Sequence, residues 1–144
     1  MTSSDVAERL PALTPEARAF LGASRIAVLA TIDPEGGPHQ AVVWYRLDGD
    51  EVVINSAVGR RWPANLRRDP RIDLTVAEGY RFVQLRGRVS IVDDQATAQA
   101  DIAEMARRYH ADEPEKAEAL IRDRFTRQQR VSFRLRPDRI NVDL

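Results

Sequence analysis

The hydrophobic positions of this chain recur mostly at a spacing of two, in short runs bounded by Gly, Pro and Asp, the pattern of antiparallel strands joined by hairpins. Arg25 to Ile32 (RIAVLATI) is a continuous apolar run of strand length and reads as a strand buried on both faces. Asp33-Pro34-Glu35-Gly36-Gly37-Pro38 is a dense turn signal, and His39 to Leu47 (HQAVVWYRL) completes a hairpin as the second strand. Asp48-Gly49-Asp50 turns the chain into the β-branched run Glu51 to Ile54. Arg71 to Ala77 and Arg81 to Val92 form two more strands, parted by Glu78-Gly79. In the second of these, Val83, Leu85 and Val89 alternate with Phe82, Gln84, Arg86 and Arg88, and Gly87 marks a bulge or a close approach. Arg130 to Leu135 alternates again, and Pro137 separates it from a last extended piece, Arg139 to Leu144.

Helical spacing appears in three places and a short helix in a fourth. Thr14 is placed to cap a helix whose apolar face is Ala17, Phe20 and Leu21 and which Gly22 ends. After Asp94 the stripe Ala98, Ile102, Met105, Ala106 and Tyr109 predicts an amphipathic helix, and a second runs from about Glu113 to Arg124 with Pro114 in its first turn. Six or seven strands, mostly hairpin-connected, point to a closed or partly closed antiparallel barrel with peripheral helices rather than a parallel sheet.

The segment from Asn55 to Arg71, NSAVGRRWPANLRRDPR, places five arginines and a tryptophan directly after a strand. Gly59 permits a close backbone approach, Pro63 suits a first helical turn, and Asp69-Pro70 stops the helix. Arg60 and Arg61 therefore sit where free N–H groups and the positive end of a helix dipole favour a phosphate, and a guanidinium can hold two of its oxygens. The alternative reading is a solvated basic helix.

Composition narrows the chemistry. The 144 residues are one domain's length, residues 1–144, with 43% hydrophobic content. Lys+Arg 22 balance Asp+Glu 22, so the arginine cluster is local and a general nucleic-acid binder is not indicated. With no cysteine and only His39 and His110, thiolate metal sites, a cysteine nucleophile and a histidine-rich metal centre are disfavoured. No apolar run reaches the ~20 residues that span a membrane. Met1 to Leu10 lacks the order of a signal peptide, so a cytoplasmic protein is expected.

Taken together, VLATI followed by a Gly-Pro turn, AVVWYRLDGDEVVINS and GRRWPANLRRDPRIDL resemble the split β-barrel flavin-binding superfamily typified by pyridoxine 5′-phosphate oxidase, and within it the reductases that use the deazaflavin coenzyme F420. The resemblance covers roughly Leu21 to Asp143. It implies a homodimer with cofactor grooves between subunits, a ring lined by Val43, Trp44 and Tyr45, and a phosphate near Ser56 contacted by Arg60 and Arg61. Asn55, Gly59, Trp62 and Asn65 belong to the same pattern and complete the expected cofactor site. The chain departs at Trp62, where many relatives carry a lysine; here the indole stacks on a ring or packs against the partner. Trp44 reads equally as core, Asn65 and Leu66 as structural residues, and His39 and His110 as exposed or helix-end residues.

The expected activity is hydride transfer from reduced coenzyme F420 to a small unsaturated or conjugated acceptor, with FMN as the alternative cofactor. The protein's task would be orientation and exclusion of water, which accounts for a sequence without a triad, carboxylate pair or metal set. Arg67 and Arg68 suit the deazaflavin's longer anionic tail. The proton comes from solvent or from Tyr45, and the sequence leaves both open. A non-catalytic flavin or haem binder is the reading from another class.

Overall fold

A computed structural model describes residues 10–144. Residues 1–9, whose polar character argued against a leader, lie outside the described residues. Helix α1 (Pro15–Gly22) begins where the Thr14 hydroxyl accepts the N–H of Ala17 at 3.1 Å and buries Ala17, Phe20 and Leu21. Strands β1 (Ala27–Ile32) and β2 (Pro38–Val43) form the first hairpin, its turn held by the Asp33 carboxylate accepting the N–H groups of Glu35 and Gly37. β3 (Arg46–Asp48) and β4 (Glu51–Ala57) form the second, followed by helix α2 (Arg61–Arg68). β5 (Arg71–Glu78) and β6 (Arg81–Val92) form the third. Helices α3 (Gln95–Tyr109) and α4 (Pro114–Asp123) and a 3-10 turn (Phe125–Arg127) precede β7 (Arg130–Asp143).

The seven strands make one antiparallel sheet in the order β2-β1-β5-β6-β7-β4-β3, and its hydrogen bonding does not close into a ring. Yet the chain passes from β2 at one edge to β3 at the other through Trp44 and Tyr45 alone. Three peptide steps reach at most about 10 Å, so the sheet must curl until its edges nearly meet. The result is a split barrel.

That crossing divides the run His39 to Leu47, expected as one strand. Side chains replace the ladder there: the Tyr109 hydroxyl accepts the Tyr45 N–H at 3.2 Å, and Arg108 Nη1 donates to the Tyr45 carbonyl at 3.3 Å. β1 likewise differs from expectation, because Val28 is 40% exposed while Ala27 and Leu29 are buried. Pro137 does not end the last strand. β7 continues through it by a register shift opposite Gly87, where a Cβ would lie 3.1 Å from the Arg136 carbonyl oxygen, so a side chain there would force β7 back by a few tenths of an ångström.

The barrel interior holds Leu29, Ile54, Leu74, Leu85, Phe133 and Leu135, with Trp62 and Leu66 of α2 packed onto the same cluster. A second cluster joins Val53 to Ile102, Met105, Ala106, Ala117 and Phe125, seating α3 and α4 on the outer face of the sheet. Each fully buried large apolar side chain contributes about 1.5–3 kcal/mol. Because α3 and α4 cover that outer face, Ser132 and Arg130 of β7 are buried too.

Candidate functional site

α2 starts one residue after a tight turn. Gly59 adopts φ +101°, a conformation that L side chains rarely enter, and Val58 N–H donates to the Gln129 carbonyl at 2.8 Å. This tie fixes Arg60, the N-cap, beside the start of β7, where Arg130 pairs in register with Ala57.

Between this turn, the β2 edge, helix α3 and the 3-10 turn after α4 lies a cleft of about 240 Å³. Val43, Trp44, Asn55, Ser56, Arg60 and Trp62 line it, six positions that the family resemblance had grouped. Ile26, Val42, Ile102, Met105 and Phe125 add apolar wall, and Arg124 and Arg130 add charge.

Arg130 is 4% exposed. Its Nε donates to Asn55 Oδ1 at 3.0 Å and its Nη1 to Gln128 Oε1, while Gln95 grips its backbone N–H and carbonyl at 2.9 and 2.7 Å. Asn55 is oriented by donating Nδ2–H to the Ala98 carbonyl and to Ser132 Oγ, and Ser132 in turn donates to Asp101 Oδ2 at 2.7 Å. Arg46 pairs with Asp101 at 2.7 Å and so neutralises the acid at the far end of this chain of bonds. Arg130 receives no such compensation. Among the described residues neither it, Arg60 nor Arg124 makes an ion pair, and no carboxylate lines the cleft. Burial, and then the charges of Arg60 and Arg124, push the Arg130 guanidinium down to about 10. It stays charged at neutral pH.

At the other end, Trp44 stacks on Tyr109 with centroids 5.1 Å apart and meets His110 edge-on. β2 is an edge strand that among the described residues is hydrogen-bonded to β1 alone, so one row of its backbone groups has no strand partner there.

The remaining expected site residues fall elsewhere. Tyr45 is fully buried and its hydroxyl donates to the Leu21 carbonyl at 2.8 Å, so its phenol belongs to the core and not to the cleft. Arg61 and Asn65 line a separate cleft with His39, Asp33 and Arg68, and Asn65 donates to Thr31 Oγ1. Arg67 pairs with Asp93, and Arg68 donates to the Ile32 carbonyl, so both are engaged. Trp62 packs on Phe133 at 5.6 Å while showing an edge to the cleft. Arg124 and Arg130 were absent from the sequence-level set. Nothing in their local pattern separates them from solvated arginines, since only the folding of α3 and α4 over β7 buries one and aims the other.

The family profile described as Pyridoxamine 5'-phosphate oxidase matches residues 13–142. Among solved structures, a conserved hypothetical protein (Rv2991) from Mycobacterium tuberculosis is similar over 92% of this chain and 84% of its own, at 26% identity and a TM-score of 0.75. A structure described as an F420 reductase is similar over 90% of this chain and 98% of its own, at 22% identity and a TM-score of 0.71. The heme storage protein HutZ from Vibrio cholerae is similar over 92% and 95%, at 20% identity and a TM-score of 0.66. The profile spans the curled sheet and the α2 segment alike, so the chain belongs to the pyridoxamine 5′-phosphate oxidase family.

Proposed function

We propose that this protein is an oxidoreductase that uses reduced coenzyme F420 on a small unsaturated or conjugated acceptor, in a cytoplasmic setting. The observation that carries the reading is the make-up of the cleft: three arginines that make no ion pair among the described residues, an apolar wall and the edge strand β2. A deazaflavin or flavin fits that donor set. Its phosphate meets Arg60 and Arg130, its ring meets Trp44 and Val43, and unpaired backbone groups of β2 meet its polar edge. Coenzyme F420 supplies a hydride when bound, and the residues described above orient it and exclude water. Arg124, which lines the same cleft, suits the longer acidic tail of F420 better than Arg67 and Arg68, which have partners.

A volume of about 240 Å³ falls short of the ~300–1,000 Å³ that encloses a ligand of this size. One chain therefore supplies part of the wall, and a second copy completes it. Val28 and Val42, paired across β1 and β2 and 40% and 68% exposed, with Ile26 at 49%, form an apolar patch at the lip of the cleft that suits such a homodimer.

The test is separate titration of FMN and coenzyme F420, followed by a hydride-transfer assay with the tighter ligand. Tight F420 binding with turnover supports the reading. Binding of neither, or an intense Soret band on haem addition without any hydride transfer, overturns it.

A further inference from the structure

We propose that Arg108 is a positioning residue that, with Tyr109, fixes the ring-binding wall of the cleft by clamping Ile26 and Trp44 in place before a ligand arrives. The inference deepens the cofactor reading and rests on it for taking this wall as the ring contact. Ile26 and Trp44 both line the cleft, yet neither belongs to a strand, because the β1–β2 ladder ends at the pair Ala27–Val43 and each is the next residue beyond it. The ladder itself does not fix the gap between them. Three side chains do, by bridging residues 21–25, which lead to Ile26, and Tyr45, which follows Trp44. Arg108 donates from Nη2 to the carbonyls of Leu21, Gly22 and Ala23 at 3.2, 3.1 and 3.0 Å, from Nε to Ser24 Oγ at 3.2 Å, and from Nη1 to the Tyr45 carbonyl at 3.3 Å. The Tyr109 hydroxyl joins the Arg25 carbonyl to the Tyr45 N–H, and the Tyr45 hydroxyl donates to the Leu21 carbonyl.

Arg108 makes no ion pair among the described residues, and its charge instead meets the last carbonyls of α1, which lack partners within the helix and carry the negative end of its dipole. Capping α1 needs only a cation there, and a lysine would serve. The planar fork does more, because its separate nitrogens hold the end of α1 and the Tyr45 crossing at one fixed separation. Tyr109 adds the stack on Trp44 at 5.1 Å, so the indole is held through its backbone neighbour and through its ring. A wall ordered in advance leaves a ligand's ring with less to immobilise when it binds.

The experiment measures melting temperature, affinity for FMN and for coenzyme F420, and the ligand-free emission of Trp44 in a Trp62→Phe background, for the wild type, Arg108→Lys, Arg108→Ala and Tyr109→Leu. Arg108→Lys keeps a cation at the end of α1, so its melting temperature should stay near that of the wild type. The cofactor that the wild type binds more tightly should nevertheless bind it about tenfold more weakly, because Trp44 and Ile26 must then be ordered on binding. Trp44 emission should move to the red and be quenched more steeply by acrylamide in all three variants. Should Arg108→Ala fail to fold, Arg108→Lys and Tyr109→Leu carry the test. Affinity that simply follows melting temperature across the variants marks a structural role and overturns the proposal, as does Trp44 emission unchanged in Arg108→Lys. If the wild type binds neither cofactor while Trp44 emission shifts in the Arg108 variants, the cofactor reading falls and the clamp stands. If a cofactor binds the wild type and Arg108→Lys equally well, the positioning role falls alone.

Discussion

The phenol of Tyr109 lies against the indole of Trp44 with centroids 5.1 Å apart and planes 12° from parallel, and its hydroxyl joins the two sides of the barrel's split. That hydroxyl donates to the Arg25 carbonyl at 2.6 Å and accepts the Tyr45 N–H at 3.2 Å. The last turn of α3 thus holds both the crossing strand and the aromatic wall of the cleft.

Tyr109→Phe keeps the stack and loses these bonds, so it should cost about 1–3 kcal/mol for the buried groups left unpaired. Tyr109→Leu should cost a further 0.5–1.5 kcal/mol or so by removing the aromatic pair. Denaturant unfolding measures both, and the emission of Trp44 in a Trp62→Phe background should shift to the red in the leucine variant alone.

Arg60 and Arg61 are neighbours in sequence but face different clefts. Arg60→Ala should weaken cofactor binding by about 1.5–3 kcal/mol, the range for a hydrogen bond to a charged group, and Arg61→Ala by clearly less. Equilibrium titration of both variants decides which side of α2 meets the phosphate.

Trp62→Lys tests the position where the family resemblance implied a lysine. The indole is 6% exposed and packs on Phe133. Lysine there should cost about 3 kcal/mol or more, because it removes a buried aromatic and adds a cation to an already basic cleft. A lower melting temperature without tighter FMN or F420 binding is the expected result.

Burial first, and then the neighbouring Tyr109 phenol, push the Tyr45 hydroxyl up to about 12 from 10.0. The folded state therefore keeps a proton that the unfolded chain releases. The associated stability is complete below pH 10 or so and is lost as pH rises toward about 12, an effect on the order of 2 kcal/mol. Tyr45→Phe should flatten this alkaline loss, although it gives up the bond to the Leu21 carbonyl at every pH. Unfolding free energies measured across that window, alongside tyrosinate absorbance, check it.

Most of the strands and helices were legible because each rests on a local signal. Thr14 caps α1 as its side chain dictates, the Val83-Leu85-Val89 alternation gives β6 its buried face, and Gly87 marks the place where β7 presses closest. The break at Trp44-Tyr45 was not legible, because alternation continues unchanged when a strand leaves one sheet edge for the other. The exposure of Val28 was hidden for a related reason. An apolar side chain reads as core whether it meets the interior or the lip of a cleft.

Within the cleft, the family resemblance grouped the residues carried by one segment, Asn55 to Trp62, together with Val43 and Trp44 from the end of β2. Hydrophobic periodicity, turn chemistry and the spacing of that segment are properties of neighbours along the chain, and they were enough to point to a closed or partly closed antiparallel barrel with a basic turn beside it. Whether a given arginine is bound, paired or free depends on what distant elements bring against it. Arg67 and Arg68 found partners in Asp93 and Ile32, while Arg130 was buried beneath α3 and α4 with its charge left unmatched. Electrostatic environment is set by burial and by contacts far apart in sequence, so only the tertiary structure decided which of the chain's many arginines would face the cleft as uncompensated charge.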